Sequence, residues 1–147
     1  MKTLEFESAF FSALADHISS RHHGLTCTVP PSGTYLAFGR TVPSPDVVVT
    51  NPSSGAALLI EVKGDRYGKS LPYATLPEMK AMREALQHTN AEVMLISTVD
   101  VPEAVLARLR EQQITVARAR TVDDAINQIE TKLAALETSS AVRLTGQ

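Results

Sequence analysis

Two acidic residues and a lysine stand on neighbouring strand-like segments of the sequence. Asp46 opens a β-branched run that ends at Thr50, and Glu61 and Lys63 close a second apolar run that begins at Ala56. Two carboxylates and an amine that meet at one point can bind a divalent cation and activate water for phosphodiester hydrolysis. The three side chains can do this only if the strands place them side by side.

The turn between the two runs predicts their register. Residues 52–55 have turn composition, and a four-residue loop there pairs Asn51 with Ala56, because loop length fixes register. Asp46 then lies opposite Glu61, at a Cβ separation of about 4.5–5.5 Å, close enough for two carboxylates to share one cation. One face of the hairpin becomes wholly apolar, with Val47, Val49, Leu58, Ile60 and Val62. The other carries Asp46, Val48, Leu59, Glu61 and Lys63, with its charges at one end.

The acid-x-Lys triplet means little without this context. It occurs three times, and the copies that begin at Glu78 and Glu130 fall in segments with helical periodicity. Residues i and i+2 of a helix do not share a face. Only the triplet that begins at Glu61 lies on a strand with a Pro-Asp pair on its partner strand.

Pro45-Asp46 followed by Glu61-Val62-Lys63 resembles the signature of the PD-(D/E)XK nuclease superfamily, which has the restriction-endonuclease-like fold. The resemblance implies Mg²⁺-dependent cleavage of nucleic acid, with Mn²⁺ able to substitute. Asp46 and Glu61 would bind the metal together with the backbone carbonyl of Val62, and Lys63 would orient water and offset developing charge. The alternative for Lys63 is an ordinary salt bridge at a solvated strand end.

Further site residues are suggested more weakly. The resemblance implies that a glutamate of the first helix reaches the metal, and Glu7 is the candidate; the alternative is a flanking residue whose carboxylate reaches water. The polar loop after Lys63 carries Arg66, Tyr67 and Lys69, which we interpret as substrate contacts, although a plain exposed connector is the alternative.

The order of elements predicts an α/β fold, αβββαβαβα, with a restriction-endonuclease-like core and a mixed central sheet flanked by helices. Residues 35–38 are favoured over 25–29 as the first strand of the three-stranded meander. Thr75 to Glu78 and Asp100 to Glu103 have the pattern of capping boxes that open helices, and Thr121 is predicted to cap the last helix. We expect a single domain over residues 1–137 and a polar, flexible tail over 138–147.

Composition sets the remaining bounds. The chain has 147 residues, a net charge of −2 and one cysteine, Cys27. The lone thiol excludes an internal disulfide framework and suits a reducing cytoplasm, and no apolar stretch approaches a membrane span. His22 and His23 are adjacent and point apart, which argues against a dihistidine metal site, and His17 and His88 are interpreted as ordinary helix-face histidines.

Two functions are compatible with the sequence. The first is a Mg²⁺-dependent nuclease acting on nucleic acid, for which we expect DNA, with a homodimer suited to cutting both strands of a duplex. The acidic net charge argues against an extended electrostatic grip on DNA. The second function is therefore a catalytically silent module of the same fold, used for nucleic-acid binding or protein assembly.

Overall fold

The computed structural model describes residues 3–64 and 70–139. No helix within these ranges is long and apolar enough to cross a membrane. The elements, in chain order, are α1 (Thr3–Arg21), β1 (Thr26–Thr28), β2 (Thr34–Ala37), β3 (Arg40–Pro43), β4 (Val47–Thr50), β5 (Ala57–Lys63), α2 (Thr75–Ala85), β6 (Ala91–Ser97), α3 (Glu103–Glu111), β7 (Thr115–Arg118) and α4 (Val122–Glu137).

Five strands form one mixed sheet in the order β1-β4-β5-β6-β7. β1, β4 and β5 are antiparallel neighbours, whereas β6 and β7 extend the sheet in parallel. Parallel neighbours need a crossover connection, and α2 and α3 supply the two crossovers. The predicted α/β order, with a mixed central sheet flanked by helices, is confirmed, with one addition: a β2–β3 hairpin is inserted between β1 and β4.

The prediction that residues 35–38 form the first strand of the meander is wrong. That position belongs to β1, which pairs with β4 at the sheet edge, while β2 pairs with β3 in a separate two-stranded sheet. Phe38 and Gly39 have positive φ angles of 56° and 74°, which suit the tight turn of this hairpin. The sequence of β1 gives only a weak strand signal, because an edge strand that is covered on one face needs few apolar residues. Only Cys27 of β1 packs against the core, and the threonines on either side of it are exposed.

The predicted register of the β4–β5 hairpin is confirmed. Val47 lies opposite Ile60 and Val49 opposite Leu58. The Asn51 amide donates to the Ala56 carbonyl at 2.9 Å. Just before β4, the amide of Asp46 donates to the carbonyl of Ile60 at 3.0 Å, the residue that lies opposite Val47, so the regular pairing ends at Val47 and Asp46 lies just beyond it.

Each face of the sheet is covered by its own apolar layer. The face predicted to be apolar, from Val47 to Val62, packs against α1 and α4, and Phe6, Phe10, Leu14 and Ile18 of α1 recur at four-residue spacing to cover it. The other face, with Val48 and Leu59, packs against α2 and α3. Since side chains alternate along a strand, Glu61 and Lys63 belong to the face under α2 and α3, and Asp46 lies beside Glu61 just before β4.

One of the three predicted helix caps is confirmed: Thr121 Oγ1 accepts a hydrogen bond from the Asp124 amide at 3.1 Å. Both predicted capping boxes are wrong, because α2 and α3 follow Ala74 and Pro102 with no side-chain cap. In the turn before α2, the backbone amide of Thr75 donates to the Pro72 carbonyl at 3.1 Å, so this amide already has the partner that the capping box would give it. Asp100 forms an ion pair with Arg118 at 2.9 Å instead of capping α3.

A buried asparagine ties the β4–β5 turn to the end of α4. The side-chain amide of Asn51 donates to the carbonyls of Leu136 and Glu137 at 2.9 and 3.2 Å. Its side-chain oxygen accepts from the Ser53 amide at 2.9 Å. Asn51 is buried, so both the turn and the helix end lose a partner that water cannot fully replace if this side chain is removed.

We therefore expect Asn51→Ala to lower the free energy of unfolding by about 1–3 kcal/mol, the usual cost of leaving buried polar groups unpaired. Urea unfolding followed by circular dichroism measures this change. The matched control is Asn127→Ala, an exposed asparagine of α4. Equal stability of the two variants would contradict the structural role of Asn51.

Candidate active site

Asp46 and Glu61 lie near each other at the end of the hairpin, although the paired residues end at Val47 and Ile60 and do not include the predicted Asp46–Glu61 pair. A hydrogen bond with Asp46 is one of the causes that raise the pKa of Glu61. Oδ2 of Asp46 also accepts a hydrogen bond from the Val62 amide at 2.6 Å, which fixes the direction of the carboxylate. Glu61 is only 4% exposed, whereas Asp46 is half-buried and lies at the open side of the pair.

The environment of Glu61 strongly favours its protonated form. Burial is the largest cause, and the hydrogen bond and negative charge of Asp46 add to it, so the pKa of Glu61 is raised to about 11. A hydrogen bond with Glu78 acts in the same direction, and the positive charge of Lys63 opposes them. Two carboxyl groups in contact must therefore share a proton or a cation.

Lys63 lies two residues beyond Glu61 on the same face of β5 and is 5% exposed. Its Nζ donates to both carboxylate oxygens of Glu78, at 3.2 and 3.1 Å. The salt bridge of the alternative interpretation is thus present, but its lysine is buried and not at a solvated strand end. A buried ammonium with a carboxylate partner keeps its charge at a fixed place beside Asp46 and Glu61.

Glu78 is the residue of this cluster that the sequence reasoning missed. The capping-box pattern predicts that Glu78 points back to the start of its own helix, but its side chain points to Lys63 and Glu61. The order of elements indicates that Glu78 lies near the end of β5. A helix that crosses over from a strand to its parallel neighbour starts near the carboxyl end of that strand, and Glu78 stands in the first turn of α2.

The other residues predicted for the site are Val62, Glu7 and three residues of the loop after Lys63. The Val62 amide points toward Asp46, and the carbonyl of the same strand residue points to the same side, so its predicted use as a ligand is compatible with the backbone. Glu7 is a half-buried residue of α1, and its participation in a metal site stays a prediction. Arg66, Tyr67 and Lys69 lie outside the described residues.

The donor set fits a small, hard divalent cation. Asp46, Glu61 and Glu78 offer carboxylate oxygens, the ligand type that Mg²⁺ prefers. With all three ionised and Lys63 charged, the cluster carries three negative charges and one positive charge, a net −2 that one divalent cation balances. Without a metal, the proton held by Glu61 offsets one of these two charges.

No protein-family model and no curated protein matches this chain. Solved structures do resemble it. Protein VC1899 from Vibrio cholerae superposes with a TM-score of 0.63 at 15% identity, over 92% of this chain and 34% of that one. The protein of unknown function AF1548 gives 0.54 at 10% identity, over 82% and 66%. A repair endonuclease from Pyrococcus abyssi gives 0.47 at 14% identity, over 74% and 46%.

At identities this low, the similarity shows the fold alone. The chain spans about a third of the length of the Vibrio cholerae protein, so that protein corresponds to this chain only over one part. The site has to be interpreted from its own residues, because neither the geometry around Asp46 nor its chemistry follows from a shared fold.

The raised pKa of Glu61 predicts the pH dependence of the metal-free protein. Below about pH 4.5, its ordinary pKa, the carboxyl is protonated in both states; between that pH and about 11, only the folded protein keeps the proton. The free energy of unfolding should therefore fall as pH rises through this window, by at most about 1.4 kcal/mol per pH unit. Glu61→Gln removes this contribution, so its stability should fall less steeply.

Urea unfolding in EDTA at several pH values between about 6 and 8 measures this slope. Glu111→Gln, which changes an exposed glutamate at the end of α3, is the matched control and should follow the wild-type slope. If wild type and Glu61→Gln have parallel pH profiles, Glu61 does not hold a proton in the folded protein.

Proposed function

We propose that the chain is a metal-dependent nuclease that hydrolyses phosphodiester bonds of nucleic acid. The observation that carries this proposal is the contact between the Asp46 and Glu61 carboxyls, with the buried Lys63 beside them. Their burial favours a functional site, because like-charged groups in contact lower stability unless a bound cation offsets them.

Each residue has a separate role in this proposal. Asp46 and Glu61 hold the metal through their carboxylates, and the carbonyl of Val62 is available on the same side. When bound, Mg²⁺ supplies the charge that polarises a phosphate oxygen and makes a water molecule a better nucleophile. The Val62 amide keeps the Asp46 carboxylate in one orientation, which lowers the entropic cost of forming the site.

Lys63 acts as a cation and not as a neutral base. Its pairing with Glu78 stabilises the charged ammonium, which can hydrogen bond to the attacking water or to the phosphate oxygens that gain negative charge. Glu78 is a positioning residue in this scheme, since it acts through Lys63. It also adds to the negative charge that the metal must balance.

The substrate class rests on the same chemistry. DNA is the expected substrate, and Arg66, Tyr67 and Lys69 remain candidates for contacting it. The net charge of −2 gives the chain little general attraction to phosphates, so we expect binding to depend on the metal and on local cations. One site cuts one strand, so duplex cleavage would require a homodimer. The half-buried free Cys27 is compatible with a cytoplasmic location.

Cleavage of plasmid, linear and single-stranded DNA in Mg²⁺ or Mn²⁺ tests the proposal. We expect Asp46→Asn and Lys63→Met to lower the cleavage rate by about 100-fold or more, because each removes charge stabilisation that the reaction needs. The matched controls are Asp16→Asn on α1 and Lys80→Met on α2. Both change exposed residues outside the site and should cleave like wild type.

Unchanged cleavage in Asp46→Asn and Lys63→Met would assign the activity to a contaminant. An absence of cleavage with every substrate would favour the silent module, in which the Lys63–Glu78 pair serves only the fold. RNA substrates in the same assay test the choice of DNA.

Metal binding can be tested without activity. Millimolar Mg²⁺ should raise the melting temperature of the wild-type protein by a few degrees, because a ligand that binds only the folded state stabilises it. Asp46→Asn removes one carboxylate ligand and should abolish most of this rise, whereas Asp16→Asn should keep it. Equal Mg²⁺ effects on all three proteins would show that the ions act elsewhere.

A further inference from the structure

A second cluster of metal-ligating side chains lies between α1 and α4, the helices that cover the opposite face of the sheet from Asp46 and Glu61. His17 stands near the end of α1, His22 directly follows that helix, and Glu130 faces them from α4. The ligand atoms of these three residues all lie within 4.8 Å of one another. We propose that this cluster binds one zinc-type transition-metal ion that joins α1 to α4.

The two imidazoles converge on one carboxylate. Nε2 of His22 lies 2.7 Å from Oε1 of Glu130, and Nε2 of His17 contacts Oε2 of the same group. The ring centres of the histidines are 5.4 Å apart. Three donors around a zinc ion are separated by roughly 3.3–3.5 Å, given metal–ligand bonds of about 2.0–2.2 Å. A shift of about 1 Å or less would therefore open the cluster for a metal.

Glu137 provides the second observation. Its Oε1 lies 2.9 Å from Nδ1 of His22, and its Oε2 accepts the Gly24 amide at 2.8 Å. A histidine that binds a metal through one nitrogen usually donates the N–H of the other to a carboxylate, which fixes the ring and its tautomer. Glu137 occupies this place: with its proton on Nδ1, His22 would present the lone pair of Nε2 to the cluster.

Burial and charge agree with a metal site. His22 is only 5% exposed, so its ring is held by the fold, whereas Glu130 is partly exposed and leaves a route for the ion and for water. With neutral imidazoles, Glu130 and Glu137 carry two negative charges, which a divalent cation neutralises. Two nitrogen donors and one oxygen donor favour zinc-type ions over Mg²⁺, which prefers oxygen.

The local chain path explains why this cluster is not obvious in the sequence. His17 and His22 are five residues apart, a spacing that would not align them on a regular helix. The chain leaves α1 after Arg21, so His22 can turn toward His17. The ring of its neighbour His23 contacts the Ser20 carbonyl at 3.2 Å, whereas the ring of His22 contacts Glu130 and Glu137, so the two adjacent histidines have different partners, as expected.

Zinc binding to untagged, chelator-treated protein tests the proposal. The experiment uses calorimetry and cobalt absorption spectra in excess Mg²⁺, which occupies the oxygen-rich site. We expect one zinc ion per chain and a cobalt spectrum typical of tetrahedral coordination. His22→Gln and Glu130→Gln should weaken zinc binding at least tenfold, and Glu137→Gln by roughly tenfold, as for other residues that orient a metal-bound histidine.

His23→Gln is the matched control, because it changes an adjacent exposed histidine and should bind zinc like wild type. His22 is buried, so His22→Gln could lose zinc binding by failing to fold. Glu130 is partly exposed, so Glu130→Gln tests the same site with less risk to the fold, and circular dichroism verifies that both variants are folded. Wild-type protein that binds no zinc below millimolar concentration would overturn the proposal. So would equal binding by wild type, His22→Gln and Glu130→Gln; the cluster would then be an ion-paired clamp only.

Discussion

A shift of one residue between β4 and β5 would turn one of the two strands over relative to the other, because side chains alternate along a strand, and Val48 and Glu61 would no longer share a face. The same shift would take either Val47 and Val49 or Leu58 and Ile60 out of the apolar layer in which they are now buried. The hydrophobic pattern therefore fixes the register, and the register brings the acids together. Asn51 supports it from the turn, through its bonds to the end of α4.

In the cluster of Asp46, Glu61, Lys63 and Glu78, protonation and hydrogen bonding lower the free-energy cost of burying charged groups. Glu61 would be destabilising as an isolated ion, so it holds a proton in the absence of metal, and the Asp46 oxygen is satisfied by a backbone amide. Lys63 is satisfied by Glu78. Each group has a partner, yet the set has an excess of negative charge. That imbalance favours a cation site over a purely structural network, in which charges usually cancel.

Much of the fold could be predicted from the sequence, for reasons that differ between elements. The β4–β5 hairpin has strong apolar alternation and a short turn, which together leave one acceptable register. β1 is a short edge strand with little apolar content, whereas β2 has more, so the sequence favoured β2 for the main sheet, which β1 in fact joins. The capping boxes at Thr75 and Asp100 failed because tertiary partners compete for their acidic residues, namely Lys63 for Glu78 and Arg118 for Asp100.

The residues of the two clusters also differ in how far the sequence could predict them. Asp46, Glu61 and Lys63 could be found because neighbouring strands determine their positions. Glu130 and Glu137 could not, since they depend on how helices pack against each other, and Glu78 was indicated only by the order of the elements. This difference also separates the two clusters chemically: the first joins oxygen donors and an ammonium, and the second joins imidazoles and carboxylates. Oxygen donors suit hard cations such as Mg²⁺, and imidazoles suit borderline cations such as zinc, so the two proposed sites differ in the ion that their donors favour.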